Sequence, residues 1–323
     1  MGRRAKNLDT QRLAGGKIPA RADLSGAVRP APWVPAPDIK MVLDRLYATR
    51  SPRHLANDPL SFCHRYPDPA DREVAAVIAS SFAYGNVLII LRTLESIFAA
   101  LGPSPRRYAE CFEPKQGLAA FSGFKHRFND SRDLCALLWA IRLMIEQRGS
   151  IGAFFLAGHD SAAGDVTAAL NTYSAEVLGL DYRPVFGRDT LPGDSYFPFF
   201  FPAPASGSAC KRLCMFLRWV VRPADGIDLG LWHGIAPSQL VIPVDTHIQR
   251  ISSYLDFTRR KNADWRMARE ITAALGVLDP DDPVKYDFSL AHLGISEKCN
   301  GVDRDICLTC GIAEICPQNP AAA

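Results

Sequence analysis

Four cysteines crowd into the last part of the chain, and they constrain its fold more than any other feature. Their spacing is Cys299-x7-Cys307-x2-Cys310-x5-Cys316, which places four thiols within 18 residues. The basic start of the chain is not followed by the apolar segment of a secretory signal, so the crowding predicts a metal site rather than a disulfide framework. Four thiolates suit either a tetrahedral zinc ion or an iron–sulfur cluster. One close pair flanked by two distant cysteines favours the cluster, and zinc stays open as the alternative.

The remaining composition is typical of a soluble globular protein. Apolar residues make up 48% of the chain and charged residues 22%, and no apolar run approaches the roughly 18 residues of a membrane-spanning helix. We therefore expect a cytoplasmic protein with no membrane partner. Residues 1–37 hold seven basic and two acidic side chains, together with many prolines and glycines, so they are predicted to form a disordered basic tail.

Hydrophobic periodicity predicts an all-α fold for residues 38–298, followed by a cysteine loop over 299–323. Asp68-Pro69 is typical of a helix start, and the apolar residues of 87–101 recur at helical spacing until Gly102-Pro103. Residues 183–207 interrupt the helical pattern with prolines, glycines and an aromatic run, and are predicted to connect two helical lobes. For the aromatics of 196–201, a place in the core is favoured over stacking on an extruded base.

Two further segments carry candidate chemistry. Ile242-Pro243-Val244-Asp245-Thr246-His247 precedes a periodic apolar stretch, so Asp245 is predicted to be the N-cap of a helix, whose positive end stabilises a carboxylate. Ser206-Gly207-Ser208-Ala209-Cys210-Lys211 precedes another periodic stretch, which places Lys211 in the first turn of a helix. Small residues before a helix allow a phosphate to approach the backbone N–H groups closely.

Taken together, the terminal cysteines, the V-D-T-H segment and the glycine-containing turn before a lysine resemble the helix-hairpin-helix DNA glycosylase superfamily, in particular its endonuclease III-like members with a [4Fe–4S] loop. The chain also looks like an uncharacterised bacterial branch of that superfamily. The resemblance implies a two-lobed helical fold in which Cys299, Cys307, Cys310 and Cys316 hold a [4Fe–4S] cluster. It gives Asp245 the role of stabilising positive charge on the sugar. Lys211 would be the nucleophile that attacks C1′ and forms a Schiff base, and a phosphate-contacting lysine is the equally weighted alternative.

The resemblance also implies a set of DNA contacts. They comprise the turn residues Gly207, Ser208 and Ala209, the residues Asn86 and Tyr84 that could fill the gap left by an extruded nucleotide, and Arg218. For Asn86 and Tyr84, a plain helix stop around Gly85 is the alternative. The expected partner is double-stranded DNA with a damaged base, bound by a monomer associated with the nucleoid.

Two functions from different classes follow from these observations. The first is a base-excision repair glycosylase, with or without AP-lyase activity, that removes a damaged base. The 34 positions between Lys211 and Asp245 resemble the interval in archaeal glycosylases for oxidised guanine, which implies an oxidised purine as substrate. The alternative is a non-catalytic iron–sulfur protein that recognises distorted DNA.

Overall fold

Helices form nearly all of the regular structure. The structure is a computed structural model that describes residues 38–49, 52–295 and 297–319, so the predicted basic tail lies outside the described residues. The described α-helices are α1 (Ile39–Thr49), α2 (Pro69–Phe82), α3 (Val87–Leu101), α4 (Pro105–Glu110), α5 (Pro114–Ala120), α6 (Ser131–Arg148), α7 (Ile151–Leu156), α8 (Thr167–Leu178), α9 (Arg183–Phe186), α10 (Lys211–Val221), α11 (Thr246–Tyr254), α12 (Trp265–Leu278), α13 (Asp287–Ile295) and α14 (Arg304–Leu308). Short 3₁₀ helices lie at Pro52–Asn57, Pro59–Arg65, Phe197–Phe200, Pro204–Ser206 and Pro237–Gln239. A two-residue pair of strands, β1 (Lys125–His126) and β2 (Asn129–Asp130), is antiparallel. The all-α prediction is confirmed.

Local capping fixes where several of these helices begin and end. The Asp68 side chain accepts a hydrogen bond from the backbone N–H of Ala70 at 2.8 Å, with Pro69 as the first residue of α2. Helix α3 spans the predicted residues 87–101 and ends at Gly102, which has a φ of 72°. The N-cap Asp130 and Asp133 form a capping box at the start of α6. Each of these ends satisfies backbone groups that a helix otherwise leaves unpaired.

Helix α2 lies in the middle of the fold. It packs against the 3₁₀ helix Pro59–Arg65 and against α10, and eleven of its fourteen residues are buried. Among them is Glu73, whose carboxylate accepts hydrogen bonds from the N–H groups of Ile151 and Gly152 and from Nε1 of Trp232. These three donors satisfy a carboxylate that would otherwise be costly to bury. Glu73 therefore joins α2 to the start of α7 and to the segment after α10.

The long connection of residues 183–207 is ordered by its own aromatics. Phe197, Phe200 and Phe201 are almost fully buried, as predicted for core residues, whereas Tyr196 and Phe199 are 47% and 42% exposed. The described residues belong to one compact unit. None of the described helices combines the length and the apolar character that crossing a membrane requires.

Candidate active site and cysteine pocket

Lys211 is the first residue of α10, as the sequence predicts. The preceding turn is shaped by two left-handed residues, Gly207 with a φ of 81° and Cys210 with a φ of 47°. The N–H of Cys210 donates to Ser208 Oγ at 3.1 Å, and the carbonyl of Gly207 accepts a hydrogen bond from the N–H of Trp265. Gly207 is exposed, Ser208 is half-buried and Ala209 is buried. The turn therefore offers exposed backbone beside Lys211.

Asp245 is the N-cap of α11, so the predicted capping role is confirmed. Its Oδ1 accepts hydrogen bonds from the N–H groups of His247 and Ile248, each at 2.8 Å. Its Oδ2 accepts no hydrogen bond from any described residue. The half-buried carboxylate is thus held in one orientation by one oxygen, while the other is available to a ligand.

The charges of Lys211 and Asp245 both affect the pKa of the His247 imidazole. Burial lowers the pKa of His247; the negative charge of Asp245 opposes this, and the positive charges of Arg250 and Lys211 add to it. The side chain of Lys211 is half-buried and has no hydrogen bond or ion pair with the described residues. The charges of Lys211 and Asp245 therefore both reach His247, and the two side chains form no hydrogen bond or ion pair with each other.

An ion pair between α10 and α13 keeps this neighbourhood together. Arg218 donates to Asp287 at 2.5 Å and to Asp228 at 3.2 Å, and it is only 4% exposed. Burial raises the pKa of Asp287 to about 6. Because its guanidinium is enclosed by two carboxylates, Arg218 is not available to a phosphate. The prediction that Arg218 contacts DNA is therefore wrong. Arg218 instead fixes α10, with Lys211, against α13, on which α11 packs.

Asn86 and Tyr84 lie between α2 and α3 in different surroundings. Asn86 is exposed and is the N-cap of α3, accepting from the N–H groups of Leu88 and Ile89. The hydroxyl of Tyr84 lies 3.0 Å from the carbonyl oxygen of His126 and 2.5 Å from Asn129 Oδ1, and these two acceptors share its one proton. Burial raises the pKa of Tyr84 to about 12. Tyr84 is therefore anchored to the β1–β2 hairpin, whereas Asn86 stays accessible.

All four cysteines of the terminal cluster line a single pocket. Tyr254, the last residue of α11, and Gly301 line it as well. The guanidinium of Arg250 donates to the carbonyl of Cys299, and the N–H of Cys299 donates to the carbonyl of Leu293 at 3.0 Å. The loop is thereby fastened to the same two helices, α11 and α13, that adjoin Asp245.

The chemistry of the pocket fits a thiolate-bound metal group, although the described residues contain no set of three or more Cys, His, Asp or Glu side chains placed around one ion. Burial raises the pKa of the Cys310 thiol to about 11, so without a metal it holds its proton at neutral pH. A bound cation of high charge would replace that proton.

Two features of the site were missed by sequence reasoning. The contact of Arg250 with Cys299 joins residues 49 positions apart, and no local pattern signals it. The second is the exposure of Phe128, Tyr196 and Phe199, the exposed aromatic residues of the described chain. The unusual pair Arg127-Phe128 in a two-residue hairpin turn could have drawn attention to it.

A family model matches residues 58–296, which include α2 to α13 and both predicted catalytic residues. The chain belongs to DUF2400. The family is described as one of proteins of unknown function. None of the curated proteins matches the chain significantly. The matched region ends before the cysteines at 299, 307, 310 and 316.

Proposed function

We propose that this member of DUF2400 is a DNA glycosylase with AP-lyase activity that removes an oxidised purine from double-stranded DNA. The observation that carries the proposal is the arrangement around His247: an unpaired lysine at the start of α10 and a carboxylate with one free oxygen at the start of α11. An amine nucleophile and an ionised carboxylate are the two groups that such chemistry requires. The two-lobed arrangement expected of a glycosylase belongs to the same proposal.

The reaction assigns one role to each side chain. The neutral amine of Lys211 attacks C1′ of the deoxyribose and forms a C–N bond. The bond from C1′ to the base breaks, and the base leaves with its electron pair and takes up a proton. Opening of the sugar ring at O4′ and loss of the amine proton then give the Schiff base, from which elimination can cleave the strand. The carboxylate of Asp245 stabilises the positive charge on the sugar during base loss.

The four terminal cysteines would hold a [4Fe–4S] cluster in this proposal. Such a cluster supplies no bond-breaking step; it orders the loop that carries it. Four cysteines that line one pocket provide the thiolates that a [4Fe–4S] cluster needs, and a tetrahedral zinc ion is the alternative. The turn of Gly207 to Ala209 would meet a phosphate beside the reacting sugar.

Borohydride trapping on a panel of duplexes, each with one lesion, tests the proposal. Hydride addition converts a Schiff base into a stable amine, so the wild-type protein is expected to give a covalent adduct with a duplex that contains oxidised guanine. Lys211→Gln and Lys211→Arg are expected to abolish the adduct, because neither side chain can form the imine. Lys211→Arg keeps the positive charge and should retain DNA binding.

Lys115→Gln is the matched control. Lys115 is an exposed lysine on α5, and its loss should leave trapping at the wild-type level. Trapping that persists in both Lys211 variants would remove Lys211 from the mechanism. DNA binding without an adduct or an abasic product on any lesion would support the non-catalytic alternative.

A further inference from the structure

Three exposed aromatic side chains, Phe128, Tyr196 and Phe199, form what we call the aromatic surface. Phe128 and Tyr196 are stacked on each other with ring centroids 5.2 Å apart and an interplanar angle of 22°. Tyr196 and Phe199 lie three residues apart at a 3₁₀ helix, where such residues lie above one another. The three aromatics are the exposed aromatic residues of the described chain. Their clustering marks an interaction site rather than chance exposure.

The hairpin turn that carries Phe128 is strained. Arg127 has a φ of 52°, in the left-handed region where a two-residue hairpin turn normally has glycine or asparagine. The Arg127 side chain passes over Gly85, where an added Cβ would lie 2.8 Å from Arg127 Cδ. The guanidinium carbon of Arg127 lies 5.4 Å from the centre of the Phe128 ring. The turn thus retains an unfavourable backbone conformation while presenting a cation and an aromatic ring to solvent.

Two cations lie on the hairpin that carries Phe128, and neither has an ion pair with the described residues. They are Arg127 and Lys125, and both are exposed. The exposed acidic side chain near Tyr196, Asp194, is paired with Arg132. A partner that offers planar apolar rings joined by negative charges would complement this combination.

The surface adjoins the candidate active site. The guanidinium of Arg212, the residue after Lys211, lies 3.9 Å from the ring centre of Phe199 and donates to the carbonyl of Phe199. It also donates to the carbonyl of Ser81 at 2.6 Å, at the end of α2. Burial lowers the pKa of Arg212 to about 10, so the group stays charged at neutral pH. The first turn of α10, which carries Lys211, is therefore linked to the aromatic surface through Phe199.

We infer that the aromatic surface binds unpaired nucleotides of the strand next to the target nucleotide, with bases stacked on Phe128, Tyr196 and Phe199 and phosphates on Arg127 and Lys125. Bases in a duplex are already stacked on one another, so only unpaired ones can offer a free face to these rings. The inference rests on the proposed function in taking DNA as the partner. It adds that a lesion in a bubble or beside a gap is bound more tightly than the same lesion in fully paired DNA.

Fluorescence anisotropy with labelled DNA tests this inference. The probes are a single strand, a duplex with a central bubble and a fully paired duplex of the same sequence. The double variant F128A/Y196A is expected to bind the single strand and the bubble about tenfold or more weakly, since stacking is worth about 1–3 kcal/mol per base. Its affinity for the paired duplex should change less than twofold. F128Y/Y196F keeps both rings and should bind like the wild type.

Arg127→Gln should weaken binding to the bubble and reduce its salt dependence. Its control is Arg148→Gln, because Arg148 is an exposed arginine at the opposite end of α6 from the hairpin. Unchanged affinity of F128A/Y196A for all three probes, or an equal loss on all three, would overturn the inference. Binding of none of the probes by the wild-type protein would also overturn it, and would point to a protein partner for this surface.

The test separates the inference from the proposed function. F128A/Y196A could lose only bubble binding while the wild-type protein gives no borohydride adduct. That result would support the role of the aromatic surface and reject the glycosylase chemistry. Trapping of a lesion in a bubble at full rate by F128A/Y196A would retain the chemistry and reject the aromatic surface.

Discussion

The two oxygens of Asp245 have different surroundings, and this difference decides what the side chain can do. Oδ1 caps α11 through two backbone N–H groups, while Oδ2 receives no hydrogen bond from the described residues. Capping and catalysis are therefore compatible in one residue. They are also separable by substitution, because asparagine caps a helix about as well as aspartate but carries no charge.

Asp245→Asn is expected to slow base release by the loss of about 2–4 kcal/mol of charge stabilisation, with less than about 1 kcal/mol lost from the free energy of unfolding. Single-turnover excision rates and chemical denaturation measure the two quantities. Asp68→Asn changes an N-cap of the same type at α2 and should alter neither. Equal excision rates in Asp245→Asn and the wild type would leave Asp245 as a cap alone.

His247 is held in its neutral form. Arg250 Nη2 lies 3.2 Å from His247 Nδ1, and a guanidinium can only donate, so Nδ1 accepts and carries no proton. Burial lowers the pKa of His247, with further lowering by Arg250 and Lys211. A histidine whose pKa is lower in the folded than in the unfolded state contributes to stability at pH values above its ordinary pKa of about 6.5. This contribution is lost as the pH falls through the pKa of the folded state.

We therefore expect the melting temperature of the wild type to fall more steeply between pH 7 and pH 5 than that of His247→Gln. Thermal unfolding followed by circular dichroism in matched buffers measures this slope. His233→Gln, a change at an exposed histidine, should retain the wild-type slope. Parallel slopes for His247→Gln and the wild type would show that the protonation of His247 is not linked to folding.

At the scale of elements, the site depends on how closely α11 approaches α13. The absence of a side chain at Gly294 on α13 leaves the room in which the His247 imidazole lies, since a Cβ built there would overlap the ring and come within 2.8 Å of His247 Cβ. The Cβ of a side chain cannot move without moving its helix. The spacing of the two helices, and with it the position of Asp245, is thus set by one glycine.

Gly294→Ala is expected to destabilise the fold by about 1–3 kcal/mol, the usual cost of overpacking, and to lower excision by displacing α11. Gly276→Ala on α12 is the matched control, because a Cβ there would find its nearest neighbour, Pro283 Cβ, at 3.9 Å. That change should stabilise the fold by about 0.5–1 kcal/mol through the helix preference of alanine. Chemical denaturation gives both values, and a Gly294→Ala protein as stable as the wild type would contradict the packing argument.

Across the whole molecule, the features that the sequence predicted depend on interactions between residues close in the chain. The features that it did not predict depend on interactions between distant residues. The start of α2 at Asp68-Pro69, the span of α3 and the cap at Asp245 depend on residues within one helical turn, and each is confirmed. The pairing of Arg218 with Asp287 spans 69 positions, so the same arginine looked like a DNA contact on the sequence. The stacking of Phe128 on Tyr196 is of the same long-range kind. Local patterns carry no information about such partners.

Under the proposed function, the order of the cysteine loop depends on the cluster that it holds. It is fastened through Arg250 to α11, through Leu293 to α13 and through an exposed pair of Arg45 and Glu314 to α1. Exposed ion pairs contribute little to stability, and a half-buried thiol such as that of Cys310 adds little packing of its own. The loop should therefore loosen without its metal group, while the helices around α2 keep their packing.

Cys310→Ser is expected to lose most of the iron of the wild-type protein, which we expect at about four atoms per chain. It should lower the melting temperature by a few degrees, leave the far-UV signal nearly unchanged and weaken DNA binding, since the loop borders the helices that carry the site. Iron analysis, visible absorption, circular dichroism and anisotropy measure these quantities.

Cys111→Ser is the control, because Cys111 is exposed and free and its loss should change none of these quantities. A colourless wild-type protein that holds one zinc ion would reject the cluster, whereas full iron occupancy in Cys310→Ser would remove Cys310 from its required ligands.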